Sequence, residues 1–410
     1  MRSIPLLILV LVFASLALSC SEMIDQPLSE RTVRSLTPSE KALASSGNTF
    51  GLNLFREIAR DPELEGRNMF ISPLSVSYAL GMTLNGAGGE TREAIVNTLE
   101  LEGLTPEEAN ESYRSLTDFL VNLDPTVRFQ IASSIWYRDD FSVIPSFMDL
   151  NRAYFHAEVE GLDFSDPAAS ETINGWVKDA TGGKIESIVP QQIPREAVMY
   201  LINAIYFKGA WRHRFDPEKT MDAPFELPGG SEVSCRMMYQ KGTFSMSSGQ
   251  LFSALDMPYG DSLYTMTILL PEEGVTTDEV IHWLNDASWQ SVVNGLSPVE
   301  IEVYLPRFTL EFERSLKKDL AGLGMGVAFT SDADFSGMTD EKVFISEVLH
   351  KTFVEVNEEG TEAAAATSVE ISRTSLSPVF RVDRPFVFAI RENRSRTILF
   401  IGRIAYPEQR

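Results

Sequence analysis

The stretch that decides the fold is residues 358–375, Glu-Glu-Gly-Thr-Glu-Ala-Ala-Ala-Ala-Thr-Ser-Val-Glu-Ile-Ser-Arg-Thr-Ser. Between residues 361 and 371, every second residue is small or apolar: Thr361, Ala363, Ala365, Thr367, Val369 and Ile371. Side chains alternate between the two faces of a strand, so the spacing predicts a strand with one face that can be buried. Strands that stay in a core usually carry larger residues. The segment therefore fits a strand that is exposed in one state and inserted into a sheet in another.

A short helix is the alternative for the same residues. Thr361 is a good N-cap, Glu362 would lie in the first turn, and the four alanines that follow favour helix. Composition alone favours this helix or a loop, and only the rest of the chain reverses that preference.

Composition predicts a globular protein with a sizeable core. The chain has 410 residues, of which 44% are hydrophobic and 23% are charged. Its length would allow two or three domains, but residues 49–406 contain no linker, repeat or low-complexity segment, which indicates one large α/β unit. The net charge of −23 argues against nucleic acid, heparin and anionic lipid headgroups as partners.

The N-terminus predicts a signal peptide at residues 1–19. Arg2 precedes an apolar run over residues 4–18 that is too short for a comfortable membrane span, and small residues follow. The sequence Ala17-Leu18-Ser19-Cys20 resembles a bacterial lipobox, although Ala17 stands where leucine is usual. Lipidation of Cys20 is the favoured interpretation, and ordinary cleavage after Ser19 is the alternative. Both predict a secreted protein, and lipidation would anchor it at a bacterial cell envelope or surface.

Residues 20–48 are polar and are expected to form a weakly structured tether, with the folded domain at 49–410. The chain has only two cysteines, Cys20 and Cys235, so no disulfide framework holds the fold. Cys235 is expected to be a structural thiol.

Apolar spacing and capping signals predict the main helices and strands. Phe50, Leu54 and Ile58 indicate a helix, Ser72 caps another that starts at Pro73, and the residues from Thr105 form a capping box. Strands are predicted at 127–131, 197–207, 263–270, 301–305, 349–356, 385–390 and 397–404. The run 197–207 should be buried on both faces.

No catalytic or metal-binding motif is visible in the sequence. The four histidines, His156, His213, His282 and His350, lack the spacing of a zinc site. We find no Gly-x-Ser-x-Gly elbow and no dinucleotide fingerprint, and we expect no cofactor or metal. An exported hydrolase built from residues distant in sequence stays open as an alternative.

Residues 49–407 resemble the serpin family of serine protease inhibitors, and five blocks of residues carry the resemblance. They are Phe70-Ile71-Ser72-Pro73-Leu74-Ser75, Thr181-Gly182-Gly183-Lys184-Ile185, Asn203-Ala204-Ile205-Tyr206-Phe207-Lys208-Gly209-Ala210-Trp211, Asp383-Arg384-Pro385-Phe386-Val387-Phe388, and the hinge Glu358-Glu359-Gly360-Thr361-Glu362-Ala363-Ala364-Ala365-Ala366. The resemblance implies an α+β fold with three β-sheets, eight to nine helices and an exposed reactive-centre loop at about 358–379.

The resemblance also implies irreversible suicide-substrate inhibition. A target protease would attack the loop and form an acyl-enzyme, and the cut loop would insert into the main sheet and distort the protease before deacylation. Non-inhibitory members often carry charge or bulk at the hinge positions that insert, whereas Thr361 and the alanines at 363–366 carry neither, which favours inhibition. A non-inhibitory binding module is the alternative, and we expect a monomer.

The family spacing nominates Thr374-Ser375 as the reactive bond. A small β-branched residue suits elastase-like or subtilisin-like extracellular proteases. Cleavage one residue earlier, at Arg373-Thr374, would suit trypsin-like enzymes, and cysteine proteases are a further class of target. Thr374 is favoured over Arg373, and both bonds stay open.

The resemblance assigns Ser72, Ser75, Asn203 and His350 to a polar network under the opening sheet. It places Trp211 at the upper opening, where the hinge first inserts. The helix after Thr105 has an acidic outer face, whereas the equivalent helix of heparin-activated relatives is basic, so we do not expect heparin activation.

Overall fold

The structure is a computed structural model that describes residues 33–361 and 378–408. The chain divides into Met1–Ser35, of which residues 33–35 are described and have no regular structure, and the compact unit Leu36–Arg410.

Nine α-helices occur in the described residues. They are α1 (Pro38–Ala59), α2 (Pro73–Leu84), α3 (Gly89–Thr98), α4 (Pro106–Val121), α5 (Pro145–Phe155), α6 (Pro167–Ala180), α7 (Thr277–Trp283), α8 (Asp286–Gly295) and α9 (Lys317–Leu320). Several begin with a side-chain N-cap followed by proline, as at Thr37, Ser72 and Thr105, which satisfies amide donors at the helix start and fixes φ there.

Helix α1 corrects the predicted boundary between tether and domain. The prediction that residues 20–48 form a weakly structured tether is wrong for 38–48, which belong to this helix. The Thr37 side chain accepts from the Glu40 amide, the Glu40 carboxylate accepts from the Thr37 amide, and Leu43 and Ala44 are buried. The capping box and the apolar pair therefore bring this segment into the folded unit.

Fifteen strands are formed by the described residues. They are β1 (Met69–Ile71), β2 (Val127–Arg138), β3 (Glu158–Leu162), β4 (Met199–Ala210), β5 (Met221–Glu226), β6 (Glu232–Ser248), β7 (Phe252–Tyr259), β8 (Tyr264–Pro271), β9 (Ser297–Pro306), β10 (Phe308–Ser315), β11 (Leu349–Asn357), β12 (Gly360–Thr361), β13 (Val379–Arg381), β14 (Phe386–Glu392) and β15 (Ile398–Ile404).

The strands form a six-stranded and a nine-stranded sheet. The six-stranded sheet has the order β10-β11-β12-β4-β2-β3, and the nine-stranded sheet has the order β1-β15-β14-β8-β7-β6-β9-β13 with β5 paired to β6. Two of the three sheets that the sequence implied are thus joined into one hydrogen-bonded array. The reason is the long strand β6, which pairs with β5 over residues 232–237, with β9 over 237–246 and with β7 over 245–248.

The core lies between the two sheets, around α2 and strands β8, β14 and β15. Every residue of these three strands is buried, and Phe70 stacks on Phe388 and Phe400 with ring centroids 5.5 and 5.2 Å apart. Strand β4 differs from its prediction, because Ile205 is only half-buried. Its side chain lines a cleft between β4 and β11.

Candidate functional site

The chain reverses direction after β11 and enters the six-stranded sheet as β12. Gly360 lies opposite Asn357 on one side and Ala210 on the other, and Thr361 lies opposite Val356 and Gly209. The first residues of the hinge therefore already occupy a strand position between β11 and β4.

A glycine is required at position 360 by both conformation and space. Its φ is +146°, a value that L side chains rarely adopt. A Cβ at this position would lie 2.1 Å from the carbonyl oxygen of Gly209. No side chain fits here while the hinge occupies the sheet.

Aromatic side chains hold the inserted end of the hinge. The Thr361 hydroxyl lies 2.8 Å from the hydroxyl of Tyr259, which stacks on Trp211 with ring centroids 4.4 Å apart. The Trp211 indole N–H donates to the carbonyl of Asn357 at 2.9 Å. Burial raises the pKa of Tyr259, so its phenol stays protonated and can donate to Thr361.

Glu358 is a buried carboxylate with two partners. Its side chain is 4% exposed and lies 2.5 Å from the Arg307 guanidinium, and the Thr220 hydroxyl donates to it at 2.5 Å. A buried charge is tolerated when it is paired and hydrogen-bonded in this way. These contacts fix the point at which the loop leaves β11.

Beyond Thr361, the facing edges of β4 and β11 are not paired with each other in the part of the chain that the structure describes. Strand β4 pairs with β2 on its other side, and β11 pairs with β10. The cleft between them is lined by Ile205, Tyr206 and Phe207 from β4, by Phe353, Val354 and Glu355 from β11, and by Phe70, Thr181, Lys184, Ile185, Thr361, Ile390 and Phe400. Within the described residues, one further strand would find backbone donors and acceptors along both edges.

The turn after α6 crosses this cleft. Gly182 packs against the ring of Tyr206 on β4, where an added Cβ would meet ring atoms at 3.2 Å. Lys184 reaches β11, where its ammonium lies 3.4 Å from the Glu355 carboxylate and 4.9 Å from the Phe353 ring centroid. We call residues 181–185 the clasp turn. Sequence reasoning recorded these residues only as a family block and missed their position across the cleft.

The polar residues that the resemblance grouped together lie at the other end of the cleft. The Ser72 amide donates to Nε2 of His350 at 3.1 Å, and the Ser72 hydroxyl donates to the Leu399 carbonyl at 2.7 Å. The Ser75 hydroxyl donates to the Asn203 carbonyl at 2.9 Å. Burial lowers the pKa of His350 to about 4, which keeps the imidazole neutral and able to accept.

Asn203 is only partly satisfied within this network. Its Nδ2 donates to the Ser133 hydroxyl at 3.1 Å, a partner that sequence reasoning missed because it lies on the neighbouring strand β2. Its buried Oδ1 has no hydrogen-bond partner among the described residues. Such an oxygen costs on the order of 1–3 kcal/mol, so this site would gain from an added donor.

Other predicted site residues lie outside the described residues. They are Cys20, the hinge residues Glu362, Ala363, Ala364, Ala365 and Ala366, and the reactive-bond residues Arg373, Thr374 and Ser375. Cys235 is buried, and burial raises the pKa of its thiol to about 11, so it has little thiolate character at neutral pH.

The described residues contain neither a metal-binding cluster nor a membrane-spanning helix. No three His, Cys, Asp or Glu side chains in them come together as a metal site would require. No helix in them combines the length and the apolar character needed to cross a membrane.

Comparison with known proteins decides the family. Residues 45–407 match the family model for Serpin (serine protease inhibitor). The chain belongs to the serpin family. It is 38% identical to neuroserpin from Gallus gallus over 360 residues, which cover 84% of this chain and 87% of that protein. It is 35% identical to human leukocyte elastase inhibitor over 387 residues, 89% of this chain and 99% of that protein.

Solved structures agree with the serpin fold. A thyroxine-binding globulin complexed with thyroxine is similar at a TM-score of 0.82 and 28% identity, over 90% of this chain and 100% of that one. Tengpin, a thermophilic serpin in its native state, is similar at a TM-score of 0.81 and 30% identity, over 91% and 96% of the two chains. The α+β serpin fold implied by the sequence is therefore confirmed.

Membership of this family makes the protein a protease inhibitor by class and not an enzyme. The alternative of an exported hydrolase is set aside on that ground. The curated relatives named above are animal proteins, so they give no support to the expectation of a bacterial lipoprotein.

Proposed function

We propose that this serpin inhibits serine proteases irreversibly by inserting its cleaved reactive loop between β4 and β11. The observation that carries the proposal is the cleft itself. Gly360 and Thr361 of the hinge occupy strand positions in it, and beyond them the facing edges have no strand partner among the described residues.

The register of β12 supports insertion of the whole hinge. Continued past Thr361, it sets residue 363 opposite Phe207 and Val354, and residue 365 opposite Ile205 and Thr352. It sets residue 367 opposite Asn203 and His350. These three loop residues are Ala, Ala and Thr, so the inward positions receive small side chains, and the Thr367 hydroxyl would arrive beside the unpaired Oδ1 of Asn203.

The energy of insertion is large enough to deform an attached protease. About a dozen new backbone hydrogen bonds, each worth roughly 0.5–1.5 kcal/mol net, contribute on the order of ten kcal/mol. That gain is comparable with the stability of a whole domain. The native form would therefore be less stable than the cleaved, loop-inserted form by an amount comparable with the folding free energy of a domain.

Thr374-Ser375 is the reactive bond that we propose, with elastase-like or subtilisin-like enzymes as targets. The name of one relative, leukocyte elastase inhibitor, supports an elastase-like target. Arg373-Thr374 is the second bond, for trypsin-like enzymes, and cysteine proteases remain a further proposed class.

Incubation with elastase, subtilisin and trypsin tests the proposal. We expect a protease–serpin complex that survives detergent and heat, with release of the C-terminal fragment. Mass spectrometry of that fragment identifies the bond, and Thr374→Asp and Arg373→Ala should block different proteases. Cleavage in the loop that leaves the protease active and the melting temperature unchanged would contradict the inhibitory mechanism.

A non-inhibitory binding function is the second candidate, because one similar solved structure is a thyroxine-binding globulin complexed with thyroxine. In that case the loop would be cut as an ordinary substrate by each protease. Accumulation of a covalent protease–serpin complex distinguishes the inhibitory function from the non-inhibitory one.

Export and lipid anchoring through Cys20 are part of the proposal. They rest on the apolar run and the lipobox-like residues of the N-terminus. Incorporation of a labelled fatty acid into the full chain in a bacterial host, and its loss in Cys20→Ser, would support lipidation. Secretion without label would favour ordinary cleavage after Ser19.

A further inference from the structure

We propose that a groove between α1 and α7 binds a small organic carboxylate with an aromatic body. The groove is bounded by the last turn of α1, the residues that follow it, α7 and Leu251, and we call it the α1–α7 groove. None of its residues lines the cleft between β4 and β11, so the inference goes beyond the proposed inhibitory function.

The α1–α7 groove has the size of a small-molecule site. Its volume is about 760 Å³, within the range of about 300–1,000 Å³ that is typical of ligand pockets. Ala59 and Pro62 contribute apolar surface from α1 and the turn after it, and Ile281 and Trp283 contribute apolar surface from α7. Such a lining suits a ligand whose body is apolar, fixed by a small number of polar contacts.

Arg56 supplies a positive charge that no described residue neutralises. Its guanidinium forms no ion pair with a described side chain, and its buried Nε has no hydrogen-bond partner among the described residues. Arg60, the other arginine of the groove, is instead paired with Glu57 at 2.6 Å. A partly buried guanidinium without a partner is destabilising. Since a carboxylate matches the planar fork of a guanidinium, Arg56 favours a carboxylate ligand.

The acidic residues of the groove already interact with other groups. Asp61 lies 2.8 Å from an arginine of β10. Asp278 is paired with the buried Arg403, and Glu65 interacts electrostatically with the same arginine. Glu279 accepts hydrogen bonds from the backbone amide and the hydroxyl of the N-cap residue of α7. These partners offset the negative charges locally, so they oppose an incoming carboxylate less than isolated carboxylates would.

Trp283 presents an aromatic surface in the same groove. It is 36% exposed, and its ring packs edge-on against the buried Phe252 with ring centroids 5.3 Å apart. Because Phe252 holds the indole in place, an aromatic ligand would stack on it with little loss of side-chain freedom. Arg56 and Trp283 together therefore specify an aromatic carboxylate as the class of ligand.

Titration of the purified full chain with 2-naphthylacetate tests this inference. We expect a dissociation constant of about 1 mM or lower for a ligand of this size. The neutral analogue 2-naphthylacetamide should bind about tenfold more weakly or worse, because it lacks the charge that Arg56 would pair with. Calorimetry measures both constants. No protease is present, so the result does not depend on whether the reactive loop traps one.

Arg56→Gln should abolish the preference for the acid over the amide. We expect its affinity for 2-naphthylacetate to fall about tenfold or more. Its affinity for the amide and its melting temperature should stay at wild-type values, because Arg56 has no ion pair to lose. Trp283→Leu should weaken binding of the acid and the amide by the same factor.

Arg60→Gln is the matched control. It removes an arginine of the same groove that is exposed and already paired with Glu57, so its affinity for 2-naphthylacetate should stay within about twofold of wild type.

Three results would overturn the inference. They are no binding of 2-naphthylacetate up to about 10 mM, equal affinity of wild type for the acid and the amide, and wild-type affinity for the acid in Arg56→Gln. A loss of affinity for both ligands that accompanies a lower melting temperature of Arg56→Gln assigns this arginine to the packing of α1 and also overturns it.

Discussion

Strands β14 and β4 show two ways of using the same type of sheet. Strand β14 pairs along its length with β15 on one side and β8 on the other, and all seven of its residues are buried. Strand β4 pairs with β2 along one edge, but beyond Gly209 its other edge faces the cleft without a partner in the described part of the chain.

Apolar content therefore does not distinguish a strand that is paired on both edges from a strand that is paired on one edge. Both strands are rich in apolar residues, and only the backbone pairing tells them apart. In the nine-stranded sheet β14 is hydrogen-bonded on both edges, whereas in the six-stranded sheet the facing edges of β4 and β11 beyond Thr361 have no strand between them among the described residues. This difference is the physical basis of the proposed mechanism, and the following variants test it.

The largest effect is expected for Gly360→Val. A side chain at this position would collide with the Gly209 carbonyl, so the hinge could not enter the sheet. We expect the stoichiometry of inhibition to rise at least tenfold, a change of about 1.4 kcal/mol in the partition between trapping and turnover, with cleaved loop as the product. Gly47→Ala is the control, since nothing lies within 4 Å of an added Cβ there, and it should inhibit normally. Normal trapping of the protease by Gly360→Val would contradict the proposal that the hinge inserts between β4 and β11.

Isoleucine-to-alanine variants in the two sheets should differ in how loop cleavage changes their free energy of unfolding. Ile268→Ala in the nine-stranded sheet removes a fully buried side chain and should lower the free energy of unfolding by about 2–5 kcal/mol in both forms. The Ile205 side chain lines the cleft. Ile205→Ala should therefore lower the free energy of unfolding less in the native form than in the cleaved form, where an inserted strand would cover this side chain. Denaturant unfolding of the two forms measures this, and an equal cost of Ile205→Ala in both would contradict insertion.

Acid should weaken the network at the end of the cleft. The pKa of His350 is about 4 in the folded protein against about 6.5 when exposed. Between these values the unfolded chain binds more protons, so stability falls as pH drops from 6.5 to 4, by up to roughly 3 kcal/mol. Burial raises the pKa of the Glu392 carboxyl, which gives the opposite slope in the same region.

Comparison of wild type with a His350 variant isolates the contribution of this histidine to the pH dependence of the unfolding free energy. His350→Gln should flatten the dependence of unfolding free energy on pH between 4 and 6.5. The Glu392 contribution cancels in the difference between wild type and variant. An unchanged slope in His350→Gln would remove His350 as the acid-sensitive group.

The smallest effect is expected at the clasp turn. Lys184 and Glu355 are about one-third exposed, so their pairing is worth about 1 kcal/mol or less. Because the pair crosses the cleft, Lys184→Ala should speed loop insertion up to about fivefold, which a fluorophore in the loop would report. Lys219→Ala, which breaks an exposed pair with Asp216 elsewhere, should not change the rate.

The helices and strands that depend on local chemistry could be predicted from the amino-acid sequence. Proline after a capping residue fixed the starts of α2 and α4, and apolar runs located β8, β14 and β15. The same local signals at Thr37 were available for α1, but the polar character of the residues around them hid the helix. Gly360 was also recognisable as a hinge from sequence, because glycine at the start of a small-residue strand signals unusual backbone freedom.

The arrangement of these elements relative to one another is visible only in the tertiary structure. The clasp turn lies across the cleft, and β12 lies beside β4, through contacts between residues more than a hundred positions apart. The edges of β4 and β11 that lack a partner among the described residues follow from the same contacts. The joining of two sheets through β6 and the Ser133 partner of Asn203 are likewise set by strand neighbours. Periodicity specifies which face of a strand is apolar, but it carries no information on which strand, if any, lies beside it.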